Sequence, residues 1–254
     1  MTSGDWRVAR IAGIDVRIGA SWVLILFLIV SAFNDRVLTA FPGTGAVTAL
    51  LLATAGAVVF FGCILVHELA HALVGRRRGY EVTGITLFVF GGVTHAKVRD
   101  QRPRDEFLVS VVGPVTSALV GAGLLAAAAG LGGRSTGPAV WLLSWLGSIN
   151  LFLAVFNLLP GLPLDGGRVL RSLVWAWTRD RTLATRVAGR AGVLIGSLLI
   201  AYGLVRLSTA GDLGGLWSAA IGWFLLAAAR GAASAGRPPR PRPRPVITDR
   251  RPPT

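Results

Sequence analysis

The feature that most constrains this chain is a series of uninterrupted apolar stretches, each near the ~20 residues a helix needs to cross a bilayer. They lie at roughly 18–33, 46–75, 107–130, 139–159, 187–207 and 213–229. Inside a bilayer no water satisfies backbone N–H and C=O groups, so such stretches must be helical. Composition agrees: 53% of the 254 residues are apolar and only 15% are charged, against about 25% charged in a soluble domain. The sequence therefore predicts an all-α polytopic membrane protein with about six transmembrane helices.

The net charge of +14 would suit a nucleic-acid binder, but its distribution argues against one. Of the 26 lysines and arginines, all except Arg36, Arg134 and Arg206 fall before the first segment, in every second gap (the last of these extended to Arg190 at the start of the fifth segment), or in the tail. That alternation is how a multi-pass protein sets its orientation, and it assigns both termini to the cytoplasm and the chain to the cell membrane. Nucleic acid is not expected as a partner; the lipid bilayer is. Only Lys97 among the cations is a lysine, a bias that fits a GC-rich, bacterial source. The single cysteine, Cys63, excludes both a disulfide framework and a cysteine zinc site. Acidic residues mixed with the N-terminal arginines, and no small-residue cleavage site, predict a retained first span in place of a removed signal peptide.

Two regions outside the segments carry information. Residues 80–98 are rich in β-branched and aromatic residues and are interrupted by Gly91–Gly92. They read as strands with a turn, a short membrane-associated β region between the second and third helices. Residues 231–254 are dominated by proline and arginine and are expected to form a disordered cytoplasmic tail, following a membrane domain at 1–230.

The chemistry concentrates in the second segment, at His67-Glu68-Leu69-Ala70-His71. Histidines at i and i+4 share a helix face and can bind one zinc, and a glutamate between them can activate water. The bland alternative is two histidines satisfied by helix–helix hydrogen bonds beside a stray carboxylate. It must place three polar groups in an apolar helix, where an unpaired charge costs at least about 2.5 kcal/mol.

Two histidines leave a zinc one protein ligand short. The best-placed carboxylate is Asp165, in the stretch from Asn157 through Pro160 and Pro163 to Gly166-Gly167. Taken alone, that stretch is a helix stop followed by a tight Asp-Gly-Gly bend. Topology adds weight to a ligand role. His71 precedes Arg76–Arg78 at the cytoplasmic end of the second segment, and Asp165 precedes Arg168 at the cytoplasmic end of the fourth. Both then lie at similar depth. His95, in the Gly-Gly strand region, reads first as an exposed loop residue.

On the HELAH stretch and the N-x-x-P-x-x-P-L-D-G-G-R stretch at 157–168, the chain resembles the site-2 protease family of intramembrane zinc metalloproteases, in its compact prokaryotic form. The likeness covers most of residues 10–230. Gly13-Ile14-Asp15-Val16-Arg17-Ile18, Phe90-Gly91-Gly92 and Gly113-Pro114 add softer support. The resemblance implies one zinc per chain held by His67, His71 and Asp165, with Glu68 as general base. It implies that Asn157 positions or polarises the peptide; the local alternative for Asn157 is a helix-end hydrogen bond. It also implies that the strand region pairs with an extended substrate. The substrates it implies are membrane-anchored regulators of the anti-sigma or pro-sigma factor type. The gap at 76–106 is too short for the PDZ domain of some relatives, and the residues after 229 are too few for a CBS pair. Regulation of those kinds is then expected to be absent or supplied by a membrane partner. The competing readings are an inactive relative that only binds transmembrane segments, or a metal transporter.

Overall fold

The computed structural model describes residues 5–88, 91–97, 102–133, 137–212 and 214–235. Phe90, Arg99, Arg134 and the Pro/Arg tail from 236 onward lie outside the described residues.

The chain opens with a hairpin of β1 (Asp5–Ile11) and β2 (Ile14–Gly19). Its two-residue turn, Ala12-Gly13, holds both residues at positive φ (49° and 75°), the geometry whose twist matches paired strands. Two helices follow, α1 (Ala20–Ala40) and α2 (Ala46–Arg77), then β3 (Glu81–Phe88) and β4 (Gly91–Lys97). β3 and β4 are the strands expected from the β-branched run at 80–98. β2 pairs in parallel with β3, from Asp15 opposite Gly84 to Ile18 opposite Leu87. The result is one four-stranded sheet in the order β1-β2-β3-β4. The sequence places strands only between the second and third helices; the N-terminal pair is an addition.

The remaining helices are α3 (Pro103–Gly130), α4 (Pro138–Asn157), α5 (Asp165–Thr178), α6 (Arg181–Ala210) and α7 (Gly214–Ala235). Prolines begin α3 and α4, where a missing N–H costs nothing. Asp180 caps α6 by accepting from the Thr182 and Leu183 amides.

Among the described residues, five helices are long and apolar enough to cross a membrane: α1, α2, α3, α4 and the Arg181–Thr209 stretch of α6. The protein is a multi-pass membrane protein. The expected number is six, and α7 is not among these five. That helix nevertheless packs along α6 as a close hairpin. A Cβ built on Gly203 would lie 2.4 Å from the Gly215 carbonyl oxygen, and the reverse distance is also 2.4 Å. The first expected segment was short because Asp35 and Arg36 interrupt its hydropathy, yet the helix runs on to Ala40.

Two clusters hold the bundle. Ile14, Ala72, Ile85 and Leu87 seal the sheet against the C-terminal half of α2. Phe33, Ala53, Leu142 and Leu146 join α1, α2 and α4. α3 and α4 cross through glycine: a Cβ on Gly121 would lie 2.8 Å from the Gly147 carbonyl oxygen. Small residues at such crossings let helix backbones pack where lipid supplies no hydrophobic drive. Outward-facing Phe27, Leu51, Leu119, Phe152 and Leu198 remain exposed, the pattern of side chains that face lipid and not water.

α5 is the main departure. The Asp-Gly-Gly bend expected at 165–167 is instead the first turn of this amphipathic helix. Its glycines serve packing. A Cβ at Gly166 would lie 2.2 Å from the Leu158 carbonyl oxygen, and one at Gly167 2.2 Å from the Gly161 carbonyl carbon.

Candidate metal centre

His67 and His71 stand one turn apart on α2, only 5% and 7% exposed. Their Nδ1 atoms are held by α3. His71 Nδ1 lies 2.5 Å from the Val109 carbonyl oxygen, and His67 Nδ1 lies 2.9 Å from Ser117 Oγ. A carbonyl can only accept, so His71 Nδ1 carries the hydrogen and donates it. Such outer hydrogen bonds fix the tautomer and aim a histidine's other nitrogen.

Both Nε2 atoms aim at one point. They lie 3.1 Å apart, and Asp165 Oδ2 lies 3.2 Å from His67 Nε2 and 3.1 Å from His71 Nε2. Three electron-rich atoms this close, away from water, repel one another unless a proton or a metal ion lies among them. The three side chains form the one group of potential metal ligands found among the described residues. Two imidazole nitrogens and a carboxylate oxygen are a donor set that suits zinc with a fourth position left open. The residues present fit that ion.

The wall of the site is backbone. Gly113 of α3 faces the ligands, and a Cβ there would lie 2.1 Å from His71 Nε2 and 2.7 Å from His67 Nε2. Asp165 is anchored from behind. Arg171, on the same helix, donates from Nε to Glu106 Oε1 at 2.6 Å and also from Nη2. Glu106, in the first turn of α3, is 3% exposed. One short helix thus carries both a candidate ligand and the arginine that ties it to α3.

Glu68 faces the sheet. Its Oε2 accepts from Thr94 Oγ1 of β4 at 2.8 Å. Asn157 donates from Nδ2 to the Leu153 carbonyl at 3.0 Å, a bond within its own helix. His95 is on strand β4 and not in a loop, exposed, with Nε2 3.0 Å from Thr86 Oγ1. The structure therefore joins His67, His71 and Asp165, sets Glu68 against β4, and leaves His95 outside the cluster. Ser117, Val109, Glu106, Arg171 and Thr94 carry no motif in the sequence; only the fold brings them to the site.

A bundle of membrane-length helices thus brings His67 and His71 of the HExxH stretch on α2 together with Asp165 of α5. Comparison agrees, since the model of Peptidase family M50 matches residues 55–201. The chain belongs to Peptidase family M50. Rip3 of Mycobacterium tuberculosis is 42% identical over 232 residues, covering 88% of this chain and 57% of that protein. Zinc metalloprotease MJ0392 of Methanocaldococcus jannaschii is 28% identical over 206 residues, covering 80% of this chain and 55% of that one. The chain thus spans little more than half the length of these relatives. In fold it is similar to the solved Site-2 Protease from Methanocaldococcus jannaschii, with a TM-score of 0.63 at 22% identity over 90% of this chain and 95% of that one. The resemblance read from the two motifs is borne out.

Proposed function

We propose that the protein is a zinc-dependent intramembrane endopeptidase that cleaves peptide bonds in or beside transmembrane helices of membrane-anchored regulatory proteins. The observation that carries this reading is the convergence of His67 Nε2, His71 Nε2 and Asp165 Oδ2, with Glu68 next in sequence to a ligand. His67, His71 and Asp165 would hold one zinc ion, which supplies Lewis acidity to the scissile carbonyl. Glu68 is the general base; it takes a proton from the attacking water and gives it to the leaving amine. Asn157 positions the substrate peptide at the end of α4. Ser117 and Val109 keep the two imidazoles aimed inward through the reaction.

A helical substrate hides its amides, so it must unwind locally before attack. Pairing along the β region would give the unwound segment a template. The charge alternation supports termini, sheet and site on the cytoplasmic side of a bacterial cell membrane, with residues beyond α7 as a basic cytoplasmic tail. Anti-sigma or pro-sigma factors suit the substrate class. A relative 30% identical over 119 residues is named Stage IV sporulation protein FB, of Bacillus subtilis. A regulatory membrane partner fits a chain whose gap between α2 and α3 has no room for a PDZ domain.

The test is Glu68→Gln in purified protein, with zinc measured by elemental analysis and cleavage measured on a model transmembrane substrate. Zinc should stay stoichiometric while cleavage falls by roughly 10²–10⁴-fold, the usual contribution of a general base. Wild-type cleavage by this variant would overturn the reading.

A further inference from the structure

We infer that Thr94 is a positioning residue for Glu68 and that Gly92 gives it access, so that strand β4 sets the orientation of the catalytic carboxylate. The inference rests on the metalloprotease reading and extends it to residues outside its motifs. Gly92 and Thr94 are two apart on β4 and so face the same side of the sheet. That side is turned to α2. Thr94 Oγ1 donates to Glu68 Oε2 at 2.8 Å. At Gly92 the approach is closer still: a Cβ would lie 2.4 Å from Glu68 Cγ, 2.9 Å from Cδ and 3.1 Å from Oε1.

The two contacts divide the work on one side chain. A glutamate has three rotatable bonds and loses up to about 2 kcal/mol of rotamer freedom when fixed. Left free on the helix surface, Glu68 would sample orientations in which neither oxygen can reach the attacking water. The threonine hydroxyl engages one oxygen, and the bare glycine backbone closes the space into which the methylene stem would otherwise swing. Oε1 is left to exchange the proton. β4 is also an edge strand, with β3 on its inner side. A substrate segment added to the outer edge of β4 would therefore press on the same strand that holds the base, tying occupancy to the readiness of Glu68.

Thr94→Val keeps the branched shape and removes the donor, so it should lower kcat roughly tenfold, with KM and zinc content at wild-type values. Thr94→Ser keeps the donor and should restore most of kcat. Gly92→Ala should displace Glu68 and lower kcat by at least as much, again with zinc retained. Wild-type kcat in Thr94→Val, or equal losses in Thr94→Val and Thr94→Ser, would overturn the positioning role. Glu68→Gln in the same assay separates the two levels. An inactive Glu68→Gln beside a fully active Thr94→Val sinks the inference and leaves the protease standing, whereas an active Glu68→Gln removes both.

Discussion

Gly113 and His71 meet so closely that a Cβ on the glycine would lie 2.1 Å from the histidine Nε2. The third helix therefore reaches the candidate metal ligands at a position that admits no side chain. Gly113→Ala separates two opposing effects. In a helix interior, alanine is favoured over glycine by about 1 kcal/mol, so the helix itself should not suffer. The methyl would occupy the space of the ligand atom and push the imidazole off its line. Zinc content should fall well below one per chain, and cleavage with it, while circular dichroism stays helical. Stoichiometric zinc in Gly113→Ala would show that the histidines point elsewhere in the working protein.

Asp165→Asn asks whether this residue is a ligand or only a helix start. Asparagine is sterically equivalent, and losing a negative charge from the first turn of α5 costs about 0.3–1 kcal/mol. A structural role thus predicts a small change in thermal midpoint and normal metal content. A ligand role predicts zinc affinity lower by roughly tenfold or more, the scale on which even outer-sphere partners act. Competition with a chelator of known affinity reads the difference directly.

The Arg171–Glu106 pair should matter to folding as well as to the site. Removing one partner of a buried ion pair leaves an uncompensated charge and costs about 3–5 kcal/mol. Arg171→Met is expected to lower the thermal midpoint clearly and to loosen zinc binding through Asp165. The double change Arg171→Met with Glu106→Leu should be milder than Arg171→Met alone. If the double variant is the worse of the two, the pair is not what holds α5 to α3.

Reporter fusions test the topology. Fusions in the loop after Gly43 and after Gly211 should report the exterior, and one after Arg179 the cytoplasm. A fusion after Ala235 decides the status of α7: a cytoplasmic signal means that it crosses, an exterior one that it does not.

What the sequence disclosed followed the range of each signal. His67 and His71 were legible because helical spacing alone puts them on one face, and β3 and β4 because their residue types are local. Asp165 became readable only when charge alternation set its depth. α5 was hidden because Gly166 and Gly167 mimic a turn; they are glycines to let the chain pass the Leu158 and Gly161 backbone, a requirement that exists only after folding. The β1–β2 hairpin was missed because Arg7, Arg10, Asp15 and Arg17 interrupt its apolar residues, and because the partner that buries Ile14 and Val16 lies beyond two membrane helices. Thr94 and Ser117 had no signal at all, since a hydroxyl gains a role only from what stands opposite it.

The parallel pairing of β2 with β3 has a consequence for biogenesis. β2 leaves the ribosome before α1, and β3 only after α2, yet they must end side by side. The two intervening helices must then cross the bilayer as a pair, one over and one back, so that both strands end on the same side. Until α2 has returned, the inner edge of β2 waits without its strand. The sheet thus acts as a check on insertion: a chain in which only one of the two helices crosses would leave β2 and β3 on opposite sides of the bilayer, and the sheet could not close.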